Sequence, residues 1–259
     1  MTRTIVIANQ KGGVGKTTTA INLGDALARR GNKVLLIDCD PQANATAGLG
    51  ISVGDRPSTY DLLLGDASLS DVTMPTGFDR LSIVPATSDL AGAEVELTAV
   101  MARESRMTQA LEGGIEAYDI VIIDCPPSVG LLTINALTAA DEVIVPVQCE
   151  YLALEGLGQF TSTLELVRRN LNQKLRMRGP LLTMYDRRTT LSQQVADEVR
   201  SHFPETFQTV IARSVRLGEA PSHGLPIHAY DPRSPASAAY DALAEEVLGT
   251  VTTVAEVIT

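Results

Sequence analysis

A short glycine-rich loop carries side chains suited to the phosphate groups of a nucleotide. Gly12, Gly13 and Gly15 allow successive backbone N–H groups to turn toward one anion, and the helix predicted after them adds the positive end of its dipole. Lys16 supplies a charge for the β- and γ-phosphates, and the Thr17 hydroxyl is placed to ligate Mg²⁺. The spacing therefore predicts a site for a nucleoside triphosphate and magnesium.

The same loop departs from the usual G-x-x-x-x-G-K-[ST] pattern in two ways. Gln10 stands where that pattern has its first glycine, and Lys11 adds a second lysine five residues before Lys16. The extra ammonium group either adds to the charge on the loop's own nucleotide or points outward toward a second one. Thr18, in the first turn of the helix, can hydrogen-bond the α-phosphate. A glycine turn with incidental lysines is the alternative, which the strand–loop–helix context disfavours.

Two aspartates follow apolar runs and are candidates for the metal and for hydrolysis. Asp124 ends the run 120–124, an arrangement that delivers a carboxylate to the Mg²⁺ shell. Asp40 lies two residues beyond Asp38, which ends another apolar run. The alternatives are turn chemistry for the Asp-x-Asp-Pro segment and helix capping for Asp124.

The elements that must position these residues alternate along the chain. Apolar runs predict strands at 5–9, 33–38, 81–85, 118–124, 142–147, 181–184 and 209–211. Helical patterns lie at 16–30, 92–112, 128–140, 192–202 and 236–248. Continuous apolar strands that alternate with helices predict an α/β fold, a mostly parallel twisted sheet with helices on both faces. Ligands bind such sheets at the carboxyl ends of the strands, where the candidate residues lie.

Composition favours one globular domain over 1–259. The chain has 259 residues, is 44% hydrophobic, and has no apolar stretch of the ~18–20 residues that a membrane-spanning helix needs. Its three cysteines suggest reduced thiols in a cytoplasm, and we expect Cys39 and Cys125 to pack in the core. Cys149 has no spacing partner for zinc.

Charge is unevenly distributed along the chain. Segment 168–216 holds ten basic and four acidic side chains, a net charge of +6, whereas the whole chain carries −10. A local basic face on an acidic body is compatible with nucleic-acid binding. A solvated helix face is the alternative for any one of these arginines.

Five motifs together resemble one family. Lys11-Gly-Gly-Val-Gly-Lys-Thr-Thr18 is similar to the deviant Walker A motif of the ParA/MinD ATPases. The resemblance extends to Asp38-Cys-Asp-Pro-Gln-Ala-Asn-Ala-Thr46, Ile123-Asp-Cys-Pro-Pro-Ser128, Pro146-Val-Gln-Cys-Glu-Tyr151 and Val215-Arg-Leu-Gly-Glu-Ala-Pro-Ser-His-Gly224. These motifs indicate the ParA/Soj partitioning branch and imply a single-domain P-loop NTPase fold.

The resemblance implies a role for each candidate residue. The nucleotide, ATP or ADP, contacts Lys11, Gly12, Gly13, Val14, Gly15, Lys16, Thr17 and Thr18. In this family Lys11 crosses an ATP-dependent sandwich homodimer to touch the partner's nucleotide, and Lys11, Lys16 and Asp40 serve hydrolysis. Thr17, Asp40 and Asp124 hold Mg²⁺, and Arg188 and Arg216 contribute to nonspecific binding of double-stranded DNA.

The family also implies partners and a location. A ParB-type centromere-binding protein stimulates slow hydrolysis, and the ATP dimers coat the nucleoid in the cytoplasm to segregate or position chromosome origins or plasmids. With no helix-turn-helix before the loop, operator-specific autorepression is not expected. Two departures stand out. Ala43 replaces a usual glycine, which predicts a slightly stiffer loop with activity retained, and Pro235 replaces a frequent basic residue, which weakens one edge of the DNA surface.

Three other functions are alternatives to DNA partitioning. A MinD-like membrane regulator needs a basic amphipathic C-terminal helix, but 234–259 contains no Lys or Arg, so no membrane binding is expected. A ParA-like ATPase that positions a protein cargo would have the same core. A metabolic kinase would need an acceptor-substrate motif, and the sequence shows none.

Overall fold

Seven strands form one sheet in the computed structural model, which describes residues 2–249. The strands, β1 to β7, are Arg3–Ile7, Val34–Asp38, Met74–Pro75, Leu81–Val84, Ile120–Asp124, Glu142–Gln148 and Arg176–Thr183. Their order is β3-β4-β2-β5-β1-β6-β7. Only the β3–β4 pair is antiparallel, so the prediction of a mostly parallel α/β sheet is confirmed.

Helices cover the sheet between strands. The α-helices of the described residues, α1 to α12, are Lys16–Arg29, Asn44–Gly48, Thr59–Leu64, Leu69–Val72, Leu90–Glu96, Arg106–Leu111, Leu131–Ala139, Ala153–Asn170, Thr190–His202, Val215–Glu219, Ile227–Tyr230 and Pro235–Leu248. Short 3₁₀ turns lie among them. Pro235 opens α12 at its first turn, where a missing N–H costs nothing.

The interior strands β1, β2, β5 and β6 are buried on both faces, as the continuous apolar runs require. In β1, Ile5 and Ile7 belong to a hydrophobic cluster with α1 and α12, whereas Val6 points into a second cluster with α7 and α8. Cys39 and Cys125 are fully buried in that second cluster, as expected. The sheet is thereby held between two helical layers.

Two predicted elements are wrong, and several helices, of which α8 is the longest, were not predicted. Segment 209–211 is not a strand; it makes single hydrogen bonds beside β7, and only the bridge between Tyr185 and Ala212 is regular. The predicted helix 92–112 is broken near Ala102, whose φ of 52° interrupts helical geometry. Helix α8 was missed.

The register of the sheet brings the carboxyl ends of β1, β2 and β5 together. Asp124 pairs with Ile7 of β1 on one side and with Asp38 of β2 on the other. The phosphate loop, residues 11–18, follows β1 at this same edge. The carboxylates and the loop are therefore neighbours although far apart in sequence.

Within residues 2–249, no helix is long and apolar enough to cross a bilayer. Helix α12 carries Asp241, Glu245 and Glu246 and no basic residue, consistent with the prediction of an acidic tail. The part of that prediction that concerns 250–259 lies outside the described residues.

Candidate functional site

The phosphate loop turns on two glycines with left-handed backbone. Gly13 has φ 74° and Gly15 has φ 91°, values that a side chain would disfavour. Gly15 is also the N-cap of α1, so the positive end of that helix faces the loop. A cavity of about 550 Å³ opens there, lined by Gly13, Gly15, Lys16, Thr17, Thr18 and Asp40 among others. The predicted loop residues are thus brought together around one space.

The two lysines of the loop lie in opposite environments. Lys16 is buried, and its Nζ donates to the Lys11 carbonyl at 3.1 Å. Burial lowers the pKa of Lys16, and the nearby carboxylates of Asp124 and Asp40 oppose that shift. The Lys11 side chain is exposed and has no ion pair or hydrogen bond with any described residue.

The start of the loop is anchored from two directions. The Asn9 side chain accepts the Lys11 backbone N–H at 3.0 Å and donates to the Pro146 carbonyl at 2.7 Å. Because the backbone of Lys11 is fixed while its ammonium is exposed, the lysine projects from a rigid base. The Lys16 side chain therefore lies inside the loop, whereas the Lys11 side chain lies on its exposed outer side.

Asp124 is a buried carboxylate without a hydrogen-bond partner. Both of its oxygens are inaccessible to solvent and unbonded within the described residues. Burial and the neighbouring Asp38 raise the pKa of Asp124 well above its usual range, and Thr17 and Lys16 offset this only in part. An unpartnered buried carboxylate next to a threonine hydroxyl is a donor set that suits Mg²⁺.

Asp40 lines the same cavity from the loop after β2. It is only 5% exposed, and its Oδ1 accepts the Gln42 N–H at 2.9 Å. The second oxygen makes no hydrogen bond within residues 2–249. A carboxylate in this position can orient a water molecule at a phosphate or complete a metal shell.

Asp38 was not predicted as a site residue, yet it holds the Asp40 loop in place. Its Oδ2 accepts both the backbone N–H of Thr46 at 2.8 Å and the Thr46 hydroxyl at 2.7 Å. Its Oδ1 accepts the Asp40 N–H at 3.2 Å. Burial raises the pKa of Asp38 to about 6. The signal was present in the sequence as the Asp-x-Asp spacing with Thr46 in the same motif.

A second, smaller cavity adjoins the phosphate cavity. It has a volume of about 230 Å³ and shares Gly15, Thr18 and Met184 with the first. Its remaining wall includes the apolar side chains of Leu217 and Tyr240. A mostly apolar cavity next to a phosphate loop suits a nucleoside base. The sequence analysis did not predict this cavity.

Arg188 and Arg216 lie in the two segments that meet beyond β7, where Tyr185 bridges to Ala212. Both side chains are exposed and paired with acids. Arg188 is 86% exposed and forms a two-pronged contact with Asp186, at 2.9 and 2.8 Å.

Arg216 is 57% exposed and contacts Glu219 at 2.9 Å and Asp231 at 3.7 Å. Its guanidinium also lies over the ring of Tyr230, 6.0 Å from the centroid.

The basic segment does not form one face. Arg168, Arg169, Lys174 and Arg176 lie at the amino end of β7 or just before it, whereas Arg188 and Arg216 lie beyond its carboxyl end. A strand of eight residues separates the two groups by roughly 26 Å. The expectation of one local basic face is therefore wrong, and only the second group adjoins the phosphate loop.

A phosphate loop after the first strand, with carboxylates at the ends of the neighbouring parallel strands, defines a P-loop nucleotide-binding protein of the doubly wound class. Comparison with known proteins narrows the class. A family model described as an AAA domain matches residues 2–177. The chain is 55% identical over 249 residues to the sporulation initiation inhibitor protein Soj of Bacillus subtilis, covering 95% of this chain and 98% of that protein.

Two further proteins are similar over nearly their whole length. The chromosome partitioning protein ParA of Caulobacter vibrioides is 53% identical, with 95% of this chain and 94% of that one covered. A solved structure described as cobyrinic acid a,c-diamide synthase from Mycobacterium smegmatis, with bound ADP and magnesium, is 40% identical. It has a TM-score of 0.83 over 96% of this chain and 94% of that one. The chain belongs to the Soj/ParA family of partitioning ATPases.

Proposed function

We propose that this ATPase forms a sandwich homodimer when it binds ATP and that the dimer binds DNA without sequence preference. A ParB-type partner stimulates its slow hydrolysis, and the cycle segregates or positions chromosome origins or plasmids. One domain spanning 1–259 carries both activities. The observation that supports the proposal best is the division of labour between a buried Lys16 and an exposed, unpaired Lys11.

ATP, ADP and Mg²⁺ fit the residues present. The phosphate cavity holds the triphosphate, and the adjoining smaller cavity holds the base. Thr17 and Asp124 would hold the metal, with Asp40 beside them, and the bound ion neutralises phosphate charge. The unpartnered oxygens of Asp124 are the main support, because a buried carboxylate with no partner costs free energy until a cation reaches it.

The dimer follows from electrostatics and from exposed apolar side chains. Two triphosphates that face each other repel unless cations lie between them, and Lys11 is positioned to supply one from each chain. Tyr151 and Leu152 follow β6 at the same edge of the sheet and are 79% and 56% exposed. Leu152 also has φ 72°, a strained value for a leucine. Strained backbone of this kind clusters at functional sites, which supports a contact surface here.

Asp40 is proposed to orient the attacking water. Asp40→Ala should retain ATP binding and dimerisation while its hydrolysis rate falls at least about tenfold. Phosphate release and nucleotide titration measure the two properties separately. Turnover equal to that of the wild type would remove Asp40 from this role.

The DNA surface is proposed to include Arg188 and Arg216. Each adds phosphate contacts without base readout, and a dimer doubles every contact, so binding should fall steeply with salt. In gel shifts with ATP, Arg188→Ala and Arg216→Ala should lose DNA retention and keep the ATP-dependent dimer. Arg80→Ala is the matched control. Arg80 is also paired with an acid, but it lies just before β4, at the amino ends of the parallel strands. Unchanged binding by both test variants would exclude this surface.

Hydrolysis measured alone, with DNA, with the ParB-type partner, and with both tests the whole proposal. We expect a slow basal rate and a strong increase only when both are present. DNA binding without any response to the partner would favour the cargo-positioning alternative. Sedimentation with anionic liposomes but not with DNA would favour the MinD-like one.

A further inference from the structure

Thr183, the last residue of β7, contacts the phosphate loop across the sheet. Its hydroxyl donates to the Val14 carbonyl at 2.9 Å, and both residues are almost completely buried. β7 is separated from β1 by β6, so this bond does not belong to the ladder of the sheet. It is a side-chain bond from an edge strand to the loop that follows an interior strand.

Thr183 is held by its backbone as well as by its side chain. Its backbone carbonyl accepts the Cys149 N–H at 3.1 Å, and the residue pairs in register with Gln148 of β6. Its methyl group lies 3.8 Å from the position that a Cβ on Gly15 would occupy. The hydroxyl therefore bonds to Val14, while the methyl group faces the side of Gly15 where a side chain would stand.

The bond sets the direction of one peptide unit. In a trans peptide the carbonyl and the following N–H point in opposite directions, so anchoring the Val14 carbonyl on Thr183 turns the Gly15 N–H away from Thr183. Thr183 lines the smaller cavity and is not part of the wall of the phosphate cavity. The Gly15 N–H is thereby left for an anion in the loop rather than for the protein.

We propose that Thr183 is a positioning residue for the phosphate loop, acting through the Val14–Gly15 peptide, for the nucleoside diphosphate or triphosphate bound there. This inference rests on the nucleotide site proposed above. Without the hydroxyl, the buried Val14 carbonyl has lost its partner, and the peptide can rotate so that the Gly15 N–H no longer faces the phosphates.

Substitution at Thr183 separates the hydroxyl from the shape of the side chain. Thr183→Val keeps the volume and removes the donor, whereas Thr183→Ser keeps the donor and removes a methyl group. In a titration with fluorescent ADP and Mg²⁺, Thr183→Val should bind roughly tenfold more weakly and Thr183→Ser within about twofold of wild type. Thr206→Val is the matched control, because Thr206 is also buried and donates to a backbone carbonyl, that of Phe203, away from the loop.

Two results would overturn the inference. One is wild-type affinity in Thr183→Val, and the other is equal loss in the Val and Ser variants, which would indicate packing rather than the hydrogen bond. Thermal unfolding without nucleotide shows whether each variant is folded. If Thr183→Val is not folded, Thr183→Ser still distinguishes the hydrogen bond from packing, because only a packing role predicts weaker binding in Thr183→Ser than in the Thr206→Val control. Lys16→Ala tests the site itself. Undiminished binding there would refute the proposed function, whereas its loss together with wild-type binding by Thr183→Val would refute only the role of Thr183.

Discussion

At the scale of single residues, the two loop lysines have opposite surroundings, since Lys16 is buried and Lys11 is exposed. The pattern predicts that both are functional, but it leaves open whether Lys11 adds to its own nucleotide or points outward. Direction depends on the anchoring of the Lys11 backbone by Asn9 and on the burial of Lys16 beside Asp124, contacts between distant segments. The exposed Lys11 side chain favours the outward direction, which the proposed dimer requires.

Ala43 is strained where the family usually has glycine. It has φ 52° and ψ 33° as the N-cap of α2, a left-handed conformation that costs a non-glycine residue about 1–2 kcal/mol. The sequence predicted only a stiffer loop. The structure adds that this stiffness carries a cost in stability, next to Asp40.

Ala43→Gly should therefore stabilise the protein, since relief of the strain exceeds the added entropy of the unfolded chain. We expect a gain of about 0.5–1 kcal/mol in the free energy of unfolding, measured by urea denaturation. Ala47→Gly, at an exposed position inside the same helix, is the control and should lose a similar amount. A loss of stability in both variants would contradict the strain at Ala43.

Asp186 should weaken the DNA contact that we propose for Arg188. The Arg188 guanidinium holds the pKa of Asp186 at about 2, so the acid stays ionised and partly neutralises the arginine. Asp186→Asn keeps the oxygen that accepts the Arg188 N–H and removes the charge. DNA affinity should rise about two- to fivefold at low salt, with Asp79→Asn beside Arg80 as the control. Unchanged or weaker binding would mean that Arg188 does not contact DNA in the dimer.

At the scale of elements, strands were predictable where apolar residues run continuously, because a parallel strand is buried on both faces. Helix α8 was not predicted, since Gly156, Gly158 and three hydroxyl residues within 161–163 lower its helical propensity. Tertiary packing overrides that preference: Leu157, Phe160 and Leu164 form a buried stripe at helical spacing.

The strand order could not be predicted from the sequence. The roles of Asp38 and Thr183, which depend on it, could therefore not be predicted either. The pairing of Asp38 with Asp124 depends on β5 lying between β2 and β1, a crossover that no local pattern encodes. Segment 209–211 was predicted as a strand from its short apolar run. The Thr209 N–H donates to the Glu246 carboxylate of α12 and the Ile211 N–H to the Leu182 carbonyl of β7, so the segment forms no regular ladder.

The paired strand ends predict proton release on metal binding. Because burial and the neighbouring Asp38 raise the pKa of Asp124, its carboxyl holds a proton up to a higher pH than an ordinary aspartate does, whereas a metal-bound carboxylate has none. Binding of Mg²⁺ with ADP should release up to about one proton, and affinity should increase with pH. Calorimetry at about pH 7.5, above the phosphate pKa of about 6, in buffers of different ionisation enthalpy measures it.

ADP without Mg²⁺ is the control and should release no proton from this site. Asp124→Asn should lose the release together with the dependence on Mg²⁺. A binding heat that is the same in every buffer would contradict the assignment of Asp124.

At the scale of the whole molecule, the proposed dimer would bring two anionic nucleotides together between two acidic chains. The net charge of each chain is −10, so two copies repel one another before any nucleotide binds. Association then depends on the cations at the contact, and Lys11 is an exposed cation on the loop that holds the phosphates. We therefore expect the proposed dimer to form only when ATP is bound.

Light scattering of Asp40→Ala with ATP and Mg²⁺ tests this claim most directly, with Asp40→Ala/Lys11→Ala and the ADP-bound protein as controls. We predict that the mass of Asp40→Ala rises from 27.6 kDa to twice that value with ATP, and that both controls remain monomeric. An Asp40→Ala protein that stays monomeric in saturating ATP, or a double variant that dimerises as well, would contradict the account.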